Sequence, residues 1–165
     1  MATDRPLRMA AIQMVSTADV SVNLEQAGDL LAEAAASGAR IAALPEFFPL
    51  MGLRESDKVA VRERPGDGPI QAFLSAAARK LALWIIGGSV PLEASTPGKV
   101  RNSCLVYDPV GNLAARYDKI HLFGFDNGDE RYVEANTIEP GAEIKVVESP
   151  FGRIGLSICY DLRFP

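Results

Sequence analysis

Cys159 is the residue whose setting suggests covalent chemistry. Apolar Ile154, Leu156 and Ile158 alternate with small Gly155 and Ser157, the period of a strand buried mainly on one face, and the run delivers the thiol to a polar turn, Tyr160-Asp161-Leu162-Arg163. A nucleophile at such an exit is carried on rigid backbone while facing the crevice beyond the strand ends, where α/β proteins bind ligands. The plain alternative is a buried cysteine acting as a small hydrophobe. An unassisted thiol has a pKa of about 8.5 and is mostly protonated at neutral pH, so attack on a carbon centre requires a neighbouring base or positive charge. Among the charged residues along the chain, Glu46 emerges at the end of the apolar run Arg40-Ile-Ala-Ala-Leu-Pro45, and Lys119 precedes a polar loop after Leu113-Ala-Ala-Arg-Tyr117. Taken singly, each reads more readily as a solvated surface charge.

Positioning these side chains falls to the elements upstream. Met9-Ala-Ala-Ile-Gln-Met-Val15 predicts a buried first strand, and Ser21 or Asn23 is placed to cap a helix with Leu24, Ala27, Leu31 and Ala35 on its apolar face and Gly38 at its end. Arg40 to Pro45 predicts a second strand, whose last position suits proline because no further ladder donor is needed there. Pro69 opens a helix with Ile70, Phe73, Leu74, Ala77 and Leu81 along one side, and Leu83-Trp-Ile-Ile86 predicts a third strand closed by Gly87-Gly88. Asn102 to Tyr107 and Leu113 to Tyr117 flank Asp108-Pro-Val-Gly-Asn112, the pattern of an antiparallel hairpin. His121 to Gly141 reads as a polar loop of about twenty residues, long enough to suggest a functional role. Glu143 to Glu148 and Arg153 to Ile158 predict a last strand pair turned by Pro150-Phe151-Gly152. The sum is an α/β chain with a mixed sheet, helices on one face and the other face needing cover.

With 165 residues, 48% of them hydrophobic and 23% charged, one globular domain is the expectation. The net charge of -4 and the lack of a basic stripe argue against a nucleic-acid partner and leave small molecules or proteins. Cys104 and Cys159 lack metal-ligand spacing, and His121, the only histidine, does not complete a zinc site with them unless carboxylates join from elsewhere, so no metal is expected. The apolar stretch from Leu7 to Val15 is interrupted by Arg8 and Gln13 and is too short for a signal or membrane segment. A reduced, cytoplasmic setting without membrane attachment is the expectation.

Three separated segments, Leu44-Pro-Glu46-Phe-Phe48, Tyr117-Asp-Lys119-Ile-His-Leu-Phe123 and Gly155-Leu-Ser-Ile-Cys159-Tyr-Asp-Leu-Arg-Phe-Pro165, together resemble the nitrilase superfamily of carbon-nitrogen hydrolases in residue type, order and spacing. The resemblance covers nearly the whole chain. It implies that family's α-β-β-α sandwich, with two such domains commonly packing sheet to sheet, and hence a homo-oligomer, a dimer or larger. It maps Glu46, Lys119 and Cys159 onto the family's catalytic triad, and Glu134 onto a further glutamate beside the lysine. Tyr160-Asp161 after the cysteine, rather than Trp-Glu, is similar to the amidase branches, and the Lys119 and Cys159 segments resemble the omega-amidase and deaminated-glutathione-amidase group. The implied reaction is hydrolysis of a small linear carboxamide to a carboxylate and ammonia through a thioester, without metal or organic cofactor. A ureido substrate, hydrolysed at its N-carbamoyl group by the same residues, is the enzymatic alternative.

The chemistry also follows from the residue types. Glu46 would take the thiol proton, protonate the departing ammonia and later activate water, and its apolar neighbours Leu44, Phe47 and Phe48 are expected to desolvate it for that work. Lys119 and the backbone N–H of Tyr160 would stabilise the developing oxyanion, a contribution of roughly 3 to 4 kcal/mol per donor. Glu134 would orient Lys119 and keep it charged; His121 is read as a structural hydrogen-bonding residue and Cys104 as core. Arg163 is either a fork for a substrate carboxylate or a partner of Asp161 or another acid. Because the family's domain is longer, residues 1–165 are read as the N-terminal portion of one carbon-nitrogen hydrolase domain, incomplete at its C-terminus. A lone piece is expected to be unstable or inactive, or a non-catalytic remnant binding a partner through its exposed sheet.

Overall fold

The computed structural model describes residues 6–165, so the first five residues of the expected domain lie outside the described part. In chain order the elements are β1 (Met9–Ala11), α1 (Val20–Ala36), β2 (Ile41–Ala43), α2 (Asp57–Ala60), α3 (Pro69–Leu81), β3 (Trp84–Ile86), β4 (Val90–Glu93), β5 (Val100–Tyr107), β6 (Leu113–Asp118), β7 (Gly124–Asp126), β8 (Arg131–Val133), β9 (Val146–Ser149) and β10 (Gly152–Gly155). Two 3-10 turns, Glu134–Asn136 and Cys159–Arg163, complete them.

The sheet is mixed, as the alternation of strand–helix steps and a hairpin predicts. β1, β2 and β3 run parallel, while β5 pairs antiparallel with β3, β4 and β6. β3 and β4 lie along the same edge of β5, one beside Val106 and Tyr107 and the other beside Val100 to Ser103, so they form a single strand line interrupted at Gly87 to Ser89. That interruption positions the site, because the chain leaving β2 passes over it.

Both long helices cover one face. Ala27 and Leu31 of α1 pack with Ile70 and Leu74 of α3 against Ala42, Ile85 and Leu105 of the sheet. Each buried leucine or isoleucine there contributes about 1.5 to 3 kcal/mol relative to exposure. The cap of α1 differs from expectation: Asp19 accepts from the Ser21 and Val22 N–H groups, while Asn23 is wholly buried and ties Thr17 to the Pro49 carbonyl. An amide with both ends satisfied by neighbouring segments is a tie, and the carboxylate two residues before Ser21 has the reach to cap. Gly38 ends the helix at a φ of 83°, in the left-handed region glycine tolerates.

The opposite face is covered in part. The antiparallel pair β9–β10 lies there, and Val147, Leu156 and Ile158 pack on Cys104, Val106 and Tyr117. The predicted alternation holds through Ile158, though ladder pairing stops at Gly155. The polar loop folds into the β7–β8 hairpin and a 3-10 turn, and it is fastened back by Val100 N–H to the Thr137 carbonyl and Gly141 N–H to the Lys119 carbonyl.

Candidate active site

Glu46 owes its place to the break in the β3–β4 line. Leu44 still donates to the Ile86 carbonyl, continuing β2 beside β3 for one more residue. The chain then crosses Gly88 so closely that a Cβ there would lie 2.0 Å from the Pro45 carbonyl oxygen, which leaves room only for glycine. Phe47 adopts a left-handed φ of 48°, its N–H held by the buried Ser89 Oγ at 2.9 Å. The carboxylate of Glu46 is thereby turned toward β5, where Asn102 Nδ2 and Lys119 Nζ donate to the same Oε1 at 2.8 and 2.9 Å. The expected apolar wrapping of this carboxylate is not what forms: Leu44 and Phe48 enter the helix-side core, and Phe47 presents its ring to the Lys58 ammonium.

Lys119 is the first residue past β6, and its main chain is held from both sides. Its N–H donates to the Asn102 carbonyl at 2.9 Å and its carbonyl accepts from Gly141 at 2.8 Å. The side chain has no exposed surface and lies between two carboxylates, Glu46 at 2.9 Å and Glu134 at 3.0 Å. Burial opposes its charge, yet the two acids outweigh burial and raise the ammonium above the ordinary lysine range. Removing one member of such a buried group leaves an uncompensated charge, a loss of about 3 to 5 kcal/mol. An ammonium has three N–H donors; the two acids use two, which leaves one for an incoming oxygen. Glu134 is fixed in turn, its Oε2 accepting from the Phe123 N–H at 2.7 Å and its own N–H donating to the Phe123 carbonyl at 3.0 Å.

Cys159 is exposed and opens the last 3-10 turn rather than ending a strand. Its φ of 49° is left-handed, a conformation that strains a non-glycine residue by roughly 1 to 3 kcal/mol and tends to persist at functional sites. Burial raises the thiol first, the Glu46 carboxylate adds to this, and Lys119 pulls it back; the balance is a thiol held protonated above its ordinary value. The structure thus brings Glu46, Lys119, Glu134 and Cys159 into one electrostatic group. Tyr160 contributes an N–H in the first turn, among those without an intrahelical acceptor, and its ring stands edge-on to Phe123 and Phe164 at 5.3 and 5.4 Å. Arg163 is exposed, with no ion pair or hydrogen bond among the described residues, and Asp161 is taken by other donors. His121 bonds Asp161 through Nδ1 at 2.8 Å and stacks on Phe164 at 3.9 Å, the structural role expected of it.

A cleft of about 230 Å³ is lined by the two acids of the group, Glu46 and Glu134, with Phe47, Leu50, Lys58 and Tyr132; Lys119 and Cys159 are not among its lining residues. Burial, with Glu55 and Glu134 nearby, holds the Tyr132 phenol above its ordinary range, so it is a neutral hydrogen-bonding wall. A larger hollow of about 770 Å³ along β6 and residues 140–146 is lined by none of the four residues of the group. Among the described residues no three His, Cys, Asp or Glu side chains gather as metal ligands, and no helix is long and apolar enough to cross a membrane. Asn102, Ser89 and Asp161 escaped the sequence reading. Asn102 carried a signal, since asparagine is disfavoured in strands and this one lies inside a predicted strand.

The carbon-nitrogen hydrolase family model matches residues 8–165, and the chain belongs to that family, within the nitrilase superfamily. It is 39% identical over 159 residues to omega-amidase NIT2 of Xenopus tropicalis, covering 95% of this chain and 56% of that protein. With the deaminated glutathione amidase of Yersinia enterocolitica it shares 43% identity over 106 residues, 62% of this chain and 37% of that one. Saccharomyces cerevisiae Nit3, a solved member of branch 10 of the nitrilase superfamily, superposes with a TM-score of 0.78 at 26% identity, over 91% of this chain and 54% of its own. The chain spans about half the length of the omega-amidase it matches.

Proposed function

We propose that the protein hydrolyses a small linear carboxamide to a carboxylate and ammonia by covalent catalysis at Cys159, as the N-terminal portion, residues 1–165, of a carbon-nitrogen hydrolase domain. The observation that carries this reading is the buried Lys119 ammonium held between Glu46 and Glu134 beside the Cys159 thiol. Because the thiol is held protonated, attack requires a base at the moment of reaction rather than a standing thiolate. Glu46 takes the proton as Sγ adds to the carbonyl carbon. The carbonyl oxygen becomes an oxyanion received by the remaining Lys119 N–H and the Tyr160 N–H. Collapse of that intermediate breaks the C–N bond, and Glu46 returns the proton to the departing nitrogen, leaving a thioester and free ammonia. Water then adds to the thioester with Glu46 as base, and the proton goes back to sulfur as the carboxylate product leaves.

No step requires a metal or organic cofactor. The names of the relatives, omega-amidase and deaminated glutathione amidase, support an acyl-chain amide as the substrate. A free thiol as attacking group fits a reducing compartment such as the cytoplasm, and exposed Leu162 and Phe164 beside the site suit burial in a homo-oligomer. Arg163, exposed and unpaired among the described residues, is kept as a candidate for a substrate carboxylate.

The test is product analysis on the native protein, offered short aliphatic carboxamides and N-carbamoyl amino acids. Ammonia alone, from the carboxamides, is the expected result. Ammonia with carbon dioxide marks a carbamoyl hydrolase, and neither product from well-folded protein contradicts the catalytic reading.

A further inference from the structure

The hydrogen bonds below Cys159 converge on one carboxylate. Asp161 is 6% exposed, and every partner it has donates. Its Oδ2 accepts from the Tyr117 hydroxyl at 2.5 Å and the Ile158 N–H at 3.0 Å, while Oδ1 accepts from the His121 N–H at 2.9 Å and stands 2.8 Å from His121 Nδ1. An ionised carboxylate only accepts, so Nδ1 carries the imidazole proton in this bond. Burial opposes the charge on Asp161, but the four donors outweigh it and hold the acid below its ordinary value.

The donors come from both halves of the proposed site. Tyr117 and His121 stand two residues either side of Lys119, and Ile158 immediately precedes Cys159. The N–H of Asp161 itself donates to the Ile158 carbonyl at 3.1 Å, closing the turn on which Cys159 holds its left-handed backbone. We infer that Asp161 is a positioning residue that sets the separation between the Cys159 sulfur and the Lys119 ammonium, a role that rests on reading Cys159 as the attacking thiol. Sulfur and ammonium must meet the same carbonyl group, one at carbon and one at oxygen, so displacement of the turn separates them while leaving the cleft lined by Glu46 and Glu134 in place.

Asparagine at this position keeps one acceptor oxygen and turns an NH₂ toward two donors. In the native protein, Asp161→Asn is expected to lower kcat about a hundredfold per titratable Cys159 thiol, with KM changed less than about twofold. Tyr117→Phe removes one donor and leaves the carboxylate, for an expected loss of about tenfold, and it serves where Asp161→Asn fails to fold. Asp108 provides the control, since its carboxylate likewise accepts from the N–H groups of Val110 and Asn112, but in the distant β5–β6 turn. Asp108→Asn is expected to keep the wild-type kcat. Wild-type kcat per thiol in Asp161→Asn, with only the thermal midpoint lowered, overturns the positioning role, as does wild-type kcat in Tyr117→Phe where Asp161→Asn cannot be measured. Turnover persisting in Cys159→Ala overturns the catalytic reading itself, a result separate from either of these.

Discussion

Cys104 lies in the middle of β5, 3% exposed, packed with Val106, Tyr117 and Val147, and burial alone pushes its thiol up to about 12. Cys159 opens a strained turn with its side chain exposed, and its thiol is also raised, but there the Glu46 carboxylate joins burial and Lys119 opposes both. An elevated thiol therefore does not separate an inert cysteine from a reactive one. What differs is access and the presence of a base: the Cys104 sulfur faces side chains with no use for a proton, whereas Cys159 stands beside a carboxylate.

Three substitutions and a set of labelling experiments sharpen or break that contrast. Cys159→Ala is expected to reduce ammonia release by at least about 10⁴-fold while leaving circular dichroism and the thermal midpoint near wild type; steady-state assay checks it. Glu46→Gln is expected to slow acylation by about 10² to 10⁴, read as the pre-steady-state burst. The same variant removes a negative charge from beside the thiol, so its Cys159 is expected to alkylate faster than wild type at pH 7, although turnover falls. Turnover and alkylation falling together would break the distinction between base and charge.

In the wild type, a neutral alkylating reagent is expected to label Cys159 in native protein and Cys104 only after unfolding. Since the Cys159 thiol is raised, its labelling rate below the ordinary thiol pKa of about 8.5 is expected to lag behind free cysteine, and to keep climbing with pH where free cysteine has levelled off. A rate already maximal at neutral pH would mean a preformed thiolate. The smallest effect belongs to Cys104→Ala: unchanged kcat, and stability lower by about 1 kcal/mol in denaturant titration, because only packing is removed.

Much of this was legible before any coordinates. The apolar runs and turn residues gave α1, α3, the β5–β6 hairpin and the mixed sheet, but not α2, β4 or the β7–β8 hairpin, and the family resemblance picks out Glu46, Lys119, Glu134 and Cys159. The side-chain misses share a cause, which is that side chains bonding to distant backbone leave no periodic trace. Asn23 reads as a cap and is a buried tie; Ser89 carries no sequence signal and holds the backbone beside Glu46; Asp161 reads as a partner for Arg163 and instead gathers donors from β6 and the loop after it. Gly87-Gly88 reads as closing a strand, but the close approach of Gly88 to Pro45 depends on where β2 ends relative to β3, a matter of register.

The most direct test of the account is rapid-quench mass spectrometry of the native protein mixed with a carboxamide substrate. The expected result is one acyl group added to the peptide containing Cys159, formed as ammonia appears and absent in Glu46→Gln. An adduct on any other residue, or ammonia released within the first turnover with no acylated Cys159 in acid-quenched samples, would contradict it.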